Sequence, residues 1–305
     1  MNILLFGAGG QVGRALRRAL APLGTVTALT RADREPEVWG DLAEPEGVSR
    51  TIRRLRPDVV VNAAAYTAVD RAEEERALAF RVNAEAVEAI ARACADVGAW
   101  LVHYSTDYVF DGSGASPRRE GDPVDPLNAY GESKLAGEQA LARGLDRHLI
   151  FRTSWVYAAT GANFLRTMLR LAGERDALQV VDDQIGAPTG ADLIADVTAH
   201  ALRSVVPADA QGQAGIYHLV ARGETSWHDY ARRVIERARA GGRPIAVSAD
   251  AIRPVPTTAF PTPARRPLNS RLAVDRIERA FGLRMPAWTE GVDAVVDELV
   301  ALRAA

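Results

Sequence analysis

The turn Gly7-Ala8-Gly9-Gly10-Gln11-Val12-Gly13 follows directly on the apolar run Ile3-Leu4-Leu5-Phe6 and opens onto a helix near Arg14. That placement restricts the fold more than any other feature. Glycines allow a tight turn and close backbone approach to a pyrophosphate, while the exposed N–H groups and the positive helix end stabilise the anion. Beyond the turn, short apolar runs alternate with longer amphipathic segments as far as about residue 155. Strands are expected at Ile3 to Phe6, Thr25 to Leu29, Val59 to Asn62, Trp100 to Ser105 and Leu149 to Thr153. Helices are expected at Gly13 to Ala21, Pro45 to Arg54, Ala72 to Val97 and Gly131 to Arg143. Such alternation predicts an α/β fold, a Rossmann-like doubly wound parallel sheet.

After Trp155 proline becomes frequent. A helix is expected from Asn163 to Ala172 and a strand from Ile216 to Val220. The proline-dense stretch Arg253 to Pro267 reads as an ordered irregular loop, because Phe260, Arg265, Arg266 and Asn269 give it anchoring and ligand-binding groups that a linker does not need. Residues 1–155 are thus expected to form a dinucleotide-binding domain, to which the chain returns around 190–220. Residues 156–305 are expected to form mainly a smaller C-terminal α/β substrate domain.

With 305 residues and 48% hydrophobic composition the chain can bury a large core. A formal charge of -2, with arginines interspersed among acids, provides no basic stripe for nucleic acid. Cys94 is the one cysteine, which excludes an intramolecular disulfide and a cysteine metal cage and suits a reducing, cytoplasmic setting. It reads as a small buried hydrophobe in a helix. No apolar stretch reaches the roughly 18 residues of a membrane span. The apolar run at the start is too short for a signal peptide and has no basic region before it.

Chemistry is concentrated in Tyr130-Gly131-Glu132-Ser133-Lys134, where a phenol and an ammonium four residues apart share one helical face. The expectation is that Lys134 lowers the pKa of Tyr130 and makes it a proton donor. The strand ending Leu101-Val102-His103-Tyr104-Ser105-Thr106 places Thr106 where a ligand carbonyl is bound and polarised. Ser105 ranks second, since it points to the opposite face, and His103 reads as a packed strand residue. For the cofactor, Gly7, Gly10, Gln11, Val12 and Gly13 form the phosphate turn. The second strand ends Leu29-Thr30-Arg31 with no acid at its tip, which favours NADPH, although nearby Asp33 keeps NADH open. Asp41 and Leu42 are placed to clasp the adenine edge. Ala63, Ala64, Ala65 and Tyr66 offer small residues either for the passage of a cofactor or for tight helix packing.

These motifs resemble those of the extended short-chain dehydrogenase/reductases. Asn62-Ala63-Ala64-Ala65-Tyr66-Thr67-Ala68-Val69-Asp70, Ser105-Thr106-Asp107-Tyr108-Val109-Phe110, Arg152-Thr153-Ser154-Trp155-Val156-Tyr157 and Pro263-Ala264-Arg265-Arg266-Pro267-Leu268-Asn269-Ser270 extend the resemblance, essentially end to end, to the branch that reduces dTDP-linked 4-keto sugars. It implies that NADPH gives hydride to the C4 ketone of dTDP-4-dehydro-L-rhamnose, yielding dTDP-L-rhamnose for cell-surface polysaccharide. Tyr130 is then the general acid, Lys134 holds the nicotinamide-ribose hydroxyls and Thr106 steadies the carbonyl. Trp155 packs on the nucleotide-sugar, with Asp107, Thr67 and Val69 as further walls. Arg265, Arg266 and Asn269 are placed to meet the diphosphate, the two arginines reading equally as a solvated charge pair.

Dehydratases that resemble this chain carry Thr-Asp-Glu at the strand end. Here Tyr108 stands in place of that glutamate, so elimination lacks its base. Epimerases share the fold, and the regulatory β subunit of methionine adenosyltransferase is similar yet acts by binding a partner. An intact Thr106, Tyr130 and Lys134 favours an enzyme. Some family members form dimers bridged by a divalent cation, one carboxylate lying just after the glycine-rich turn. This chain has Arg14-Ala15 there, with Asp192 and Glu298 as remaining acids, so monomer and homodimer both stay open and no metal is expected in the chemistry.

Overall fold

Short runs that are apolar on both sides become strands covered on both faces. Four such strands, with a less buried strand at each edge, form one parallel sheet in the order β2-β1-β3-β4-β5-β6: β1 (Asn2–Phe6), β2 (Thr25–Leu29), β3 (Val59–Asn62), β4 (Trp100–Thr106), β5 (His148–Thr153) and β6 (Gly215–His218). The computed structural model describes residues 1–35, 37–207 and 211–304. Its longer helices are α1 (Gln11–Leu20), α2 (Pro45–Leu55), α3 (Ala86–Val97), α4 (Ala129–Gly144), α5 (Phe164–Glu174), α6 (Ala191–Val205), α7 (Trp227–Ala240) and α8 (Trp288–Ala304). Alternate strand residues feed two cores. Ile3, Leu5, Val59, Val61 and Val102 pack with Leu16 of α1 and Ile194 of α6. Leu4, Phe6, Val60, Leu101 and Ile150 pack with Ile52 of α2, Ile90 of α3 and Leu141 of α4. Cys94 is buried in the second of these cores.

The sheet is thus a Rossmann-like, doubly wound parallel sheet with helices on both faces. Strands β2 and β3 flank β1 on opposite sides, and this switch in direction opens a crevice at the carboxyl ends of the strands. The chain beyond residue 155 contributes to both parts of the molecule. Helix α6 and strand β6 join the sheet and its first core. A third core gathers Leu165 and Leu169 of α5, Tyr230 and Val234 of α7, and Val292 and Val296 of α8. The proline-dense segment begins as a short strand, Ile252–Val255, paired in parallel with Leu178–Val181. Pro254 is accommodated because the pair has only two strands, so a missing N–H on the outer side breaks no ladder. Among the described residues no helix is long and apolar enough to cross a membrane.

One element departs from expectation. In place of a continuous helix from Ala72 to Val97 the chain forms Arg71–Glu74, Arg76–Phe80, a π-helical turn at Arg81–Glu85, and then α3. The wide turn puts Asn83 where its amide bonds both the N–H and the carbonyl of Tyr66, at 2.9 and 3.0 Å, and the Ser133 hydroxyl at 3.0 Å. Its backbone rests on α4: a Cβ added at Gly137 would lie 2.0 Å from the Asn83 carbonyl oxygen. The interruption therefore locks the loop after β3 to the helix that carries Tyr130 and Lys134.

Helix α4 is fixed to the sheet by a buried ion pair. Arg152 of β5 donates through Nε and Nη2 to Glu138, at 2.9 and 2.6 Å, with side chains only 3% and 2% exposed. Such a pair adds little against an apolar replacement of both partners, but breaking it leaves a bare charge in the core. Glu138→Ala is expected to destabilise the protein by about 3–5 kcal/mol in urea unfolding. A loss below about 1 kcal/mol, the level of an exposed pair, would contradict the role given to this contact.

Candidate active site

A cleft of about 1300 Å³ runs along the carboxyl ends of the strands. It is lined by Gly7, Gly10, Gln11 and Val12, by Thr30 and Arg31 after β2, by Asp41 and Leu42, and by Ala63 to Thr67 and Val69 after β3. Thr106, Asp107, Tyr130, Lys134 and Trp155 complete it. Four residues expected at the site do not line this cleft: Gly13, Arg265, Arg266 and Asn269. Gly13 serves the turn from behind, since a Cβ there would lie 2.0 Å from the Gly7 carbonyl oxygen. Asn269 is spent on structure: its amide donates to the Ser113 and Ser116 carbonyls at 3.1 and 2.9 Å, and its oxygen accepts from Arg271. Arg266 pairs with Asp70 at 2.7 Å, while its Nη1 is buried without a partner. Arg265 is exposed, and its carbonyl accepts from the Asn128 amide that caps α4.

The turn after β1 is shaped for an anion. Gly7 has φ +79°, and a Cβ there would meet the Ala64 nitrogen at 2.5 Å, so only glycine lets the two loops approach. At the start of α1, capped by Gly10, no side chain bonds the first amides and no acid lies in the first turn. Those unclaimed N–H groups and the helix dipole fit a pyrophosphate. Farther along, Arg14, Arg31 and Arg34 line the same cleft. Asp33 is turned away from it. Its carboxylate accepts from the Thr30 N–H at 2.6 Å and the Thr30 hydroxyl at 2.8 Å, bonds that hold its pKa below the usual value. The one acid that kept NADH open is thus engaged at the tip of β2. Asp41 pairs with Arg34 and accepts from the Ala43 N–H at 3.1 Å.

At the reacting end, the expectation that Lys134 lowers the Tyr130 pKa is not met. Burial pushes Tyr130 up to about 12, with a hydrogen bond to Thr106 acting in the opposite direction and the Asp107 charge adding to the rise. Lys134 exerts no such pull because its Nζ is turned to the sheet, donating to the Tyr104 carbonyl at 2.6 Å and lying 3.2 Å from His103 Nε2. Burial lowers Lys134 itself to about 8, against a raising influence from Glu138. Thr106 donates to Asp107 Oδ1 at 3.1 Å and accepts from the Tyr108 N–H at 3.2 Å. Desolvation lifts Asp107 to about 6, partly offset by hydrogen bonds from Ser270 and Thr106.

Other lining residues depart from expectation or follow no motif. Ser105, expected on the opposite face, borders the cleft, as does Thr153 at the end of β5, and both hydroxyls are buried without partners. Trp227, whose position follows no motif, stacks on Trp155 with ring centroids 3.7 Å apart and planes 16° from parallel. Trp155 has φ +48°, a left-handed conformation that costs a residue with a side chain roughly 1–3 kcal/mol. The stack with Trp227, and Gly186 packed against the ring, hold it there: a Cβ at Gly186 would lie 2.9 Å from the indole. His103, expected as simple packing, lies directly against Lys134.

The RmlD substrate binding domain family matches residues 1–301. A dTDP-4-dehydrorhamnose reductase of Escherichia coli (strain K12) is 56% identical over 299 residues, covering 98% of each chain. One from Burkholderia thailandensis is 50% identical over 305 residues, covering 99% of this chain and 100% of its own. Among solved structures, a dTDP-4-dehydrorhamnose reductase from Bacillus anthracis in complex with NADP superposes with a TM-score of 0.84. It is 33% identical, over 97% of this chain and 99% of that one. Another from Clostridium acetobutylicum gives a TM-score of 0.85 at 34% identity over the full length of both. Sequence and architecture agree over the whole length, and the chain belongs to the RmlD substrate binding domain family.

Proposed function

We propose that this chain reduces the C4 ketone of dTDP-4-dehydro-L-rhamnose to dTDP-L-rhamnose, a step toward cell-surface polysaccharide, with NADPH as the reductant. The observation that carries this reading is the shared cleft: Tyr130 and Thr106 open into the same space as the unclaimed amides of α1. A reduced nicotinamide bound there supplies the hydride. Gly7, Gly10, Gln11, Val12 and the Ala63 to Tyr66 loop hold the dinucleotide, with Thr30, Arg31, Asp41 and Leu42 at its adenosine end.

Tyr130 gives its proton to the oxygen that becomes the C4 hydroxyl. A phenol raised to about 12 keeps that proton at neutral pH, as an acid must. The substrate carbonyl takes up the Thr106 hydroxyl now donated to Asp107, which orients it toward Tyr130. Trp155, held flat by Trp227, covers the sugar, with Thr67, Val69 and Asp107 as walls. We place the enzyme in the cytoplasm, where NADPH and a reduced Cys94 are both expected.

Purified protein mixed with NADPH and dTDP-4-dehydro-L-rhamnose is expected to consume the reduced-nicotinamide absorbance; no turnover would overturn the proposal. Tyr130→Phe is expected to lower kcat by roughly 10²–10⁴, the usual share of general acid catalysis, with little change in NADPH affinity. Rates equal to the unaltered enzyme would mean another group supplies the proton. Arg31→Ala should raise the KM for NADPH more than that for NADH, and equal effects on both would remove Arg31 from recognition of the 2′-phosphate.

A further inference from the structure

Side chains at the carboxyl ends of β4 and β5 sort by face of the sheet. Arg152 of β5 turns to α4, where it pairs with Glu138, and Ser105, its partner in register on β4, shares that side with His103. Successive residues of a strand point to opposite faces, so Thr106 and Thr153, the next pair in register, turn the other way. They continue the column of Tyr104 and Phe151, whose ring centroids lie 6.1 Å apart. The Tyr104 hydroxyl bonds Thr198 of α6 at 2.8 Å, which marks this as the face that carries α1 and α6.

Thr106 is engaged on both counts: its hydroxyl donates to Asp107 Oδ1 and accepts from the Tyr108 N–H. Thr153 has no such partner. It lines the cleft and is only 8% exposed, and its hydroxyl is buried without a hydrogen bond among the described residues. A buried hydroxyl left unsatisfied destabilises a protein, so an orphan aimed into a cleft points to a ligand that completes it. Ser105 carries the other unpartnered hydroxyl of the lining, and it faces α4.

A dinucleotide with its pyrophosphate at α1 and its adenosine at Thr30 and Arg31 extends its other half over β4 toward β5, since β2 and β3 leave β1 in opposite directions. That half ends in nicotinamide, a flat ring with one polar substituent, a primary amide. Around the reacting centre Tyr130 acts as the acid and the Lys134 ammonium only donates, so an amide NH₂ needs a hydroxyl whose lone pairs are still free. We propose that Thr153 accepts a hydrogen of the nicotinamide carboxamide and so fixes the rotation of the ring about its bond to the ribose. The proposal rests on the cleft being a dinucleotide site. Fixing that rotation decides which face of the ring is presented to Thr106 and Tyr130, and hence which hydride leaves.

Thr153→Val keeps the shape of the side chain and removes the oxygen, and binding reads its effect without turnover. Dissociation constants are measured by titration calorimetry for NADP⁺, for its 3-acetylpyridine analogue, in which a methyl group replaces the amide NH₂, and for adenosine 2′,5′-bisphosphate, which lacks the nicotinamide half. The unaltered protein is expected to bind NADP⁺ about five- to tenfold more tightly than the analogue, as one hydrogen bond provides. In Thr153→Val the two dinucleotides should bind equally and the bisphosphate as before, and Thr153→Ser should restore the preference. Ligand-free Thr153→Val should unfold at no lower urea concentration than the unaltered protein, because an unsatisfied oxygen has been removed. Destabilisation would mean that the hydroxyl has a partner within the protein, and would overturn the inference. A preference that persists in Thr153→Val, or is lost instead in Ser105→Ala, overturns it as well while leaving the dinucleotide reading intact. If the unaltered protein binds no NADP⁺, that reading and this inference fall together.

Discussion

The docking of α4 onto the sheet is the constraint on which the rest of this site depends. Three polar attachments set it: Lys134 to the Tyr104 carbonyl, Glu138 to Arg152, and Ser133 to Asn83. All are buried, and buried polar groups are costly unless every partner is present, so the helix has one register in which the arrangement is satisfied. That register brings Tyr130 to the end of β4, where it lines the cleft with Thr106. A slip of the helix would strand a cation, a carboxylate and an amide together. The position of the Tyr130 hydroxyl is thus set from beneath, by groups packed between α4 and its neighbours.

Along the cleft the electrostatics are graded. One end presents free helix amides and three arginines, suited to phosphates that remain charged throughout any reaction. The other presents hydroxyls, a phenol and stacked indoles, suited to a neutral sugar ring. Between them stands Lys134, among the described residues the one cation of the cleft lining that is fully buried, its pKa lowered by desolvation. A ligand with an anionic tail and an uncharged reactive head fits this gradient in only one orientation.

Much of this was legible because the chemistry is local. The strand-turn-helix around Gly7 to Gly13, the Tyr130 and Lys134 spacing and the strand ends at Thr30 and Thr106 each follow from a few adjacent residues, and the sheet follows from runs apolar on both faces. What escaped was set by contacts distant in sequence. The π turn at Arg81–Glu85 exists because Asn83 meets Tyr66 and Ser133, some 17 and 50 positions away. The Trp155 and Trp227 stack joins a strand end to a helix start across seventy residues of chain. The family resemblance places Asn269 at the diphosphate, whereas its amide is taken by the Ser113 and Ser116 carbonyls. For Tyr130 the error was one of magnitude: the attraction of an ammonium was counted and the desolvation of the phenol was not.

That magnitude decides the direction in which the site works best. A phenol whose proton is held well past neutrality is a poor base, so the reverse reaction, which must take a proton from an alcohol, starts from a scarcely populated phenolate. Reduction asks the opposite. It needs the proton present at the start and delivered to an oxygen that becomes strongly basic as hydride arrives, and only then needs the phenolate refilled. Desolvation acts on Tyr130 and Lys134 with opposite sign, raising the phenol and lowering the amine, so a single physical cause, the burial of α4 against β4, sets the proton affinity of both.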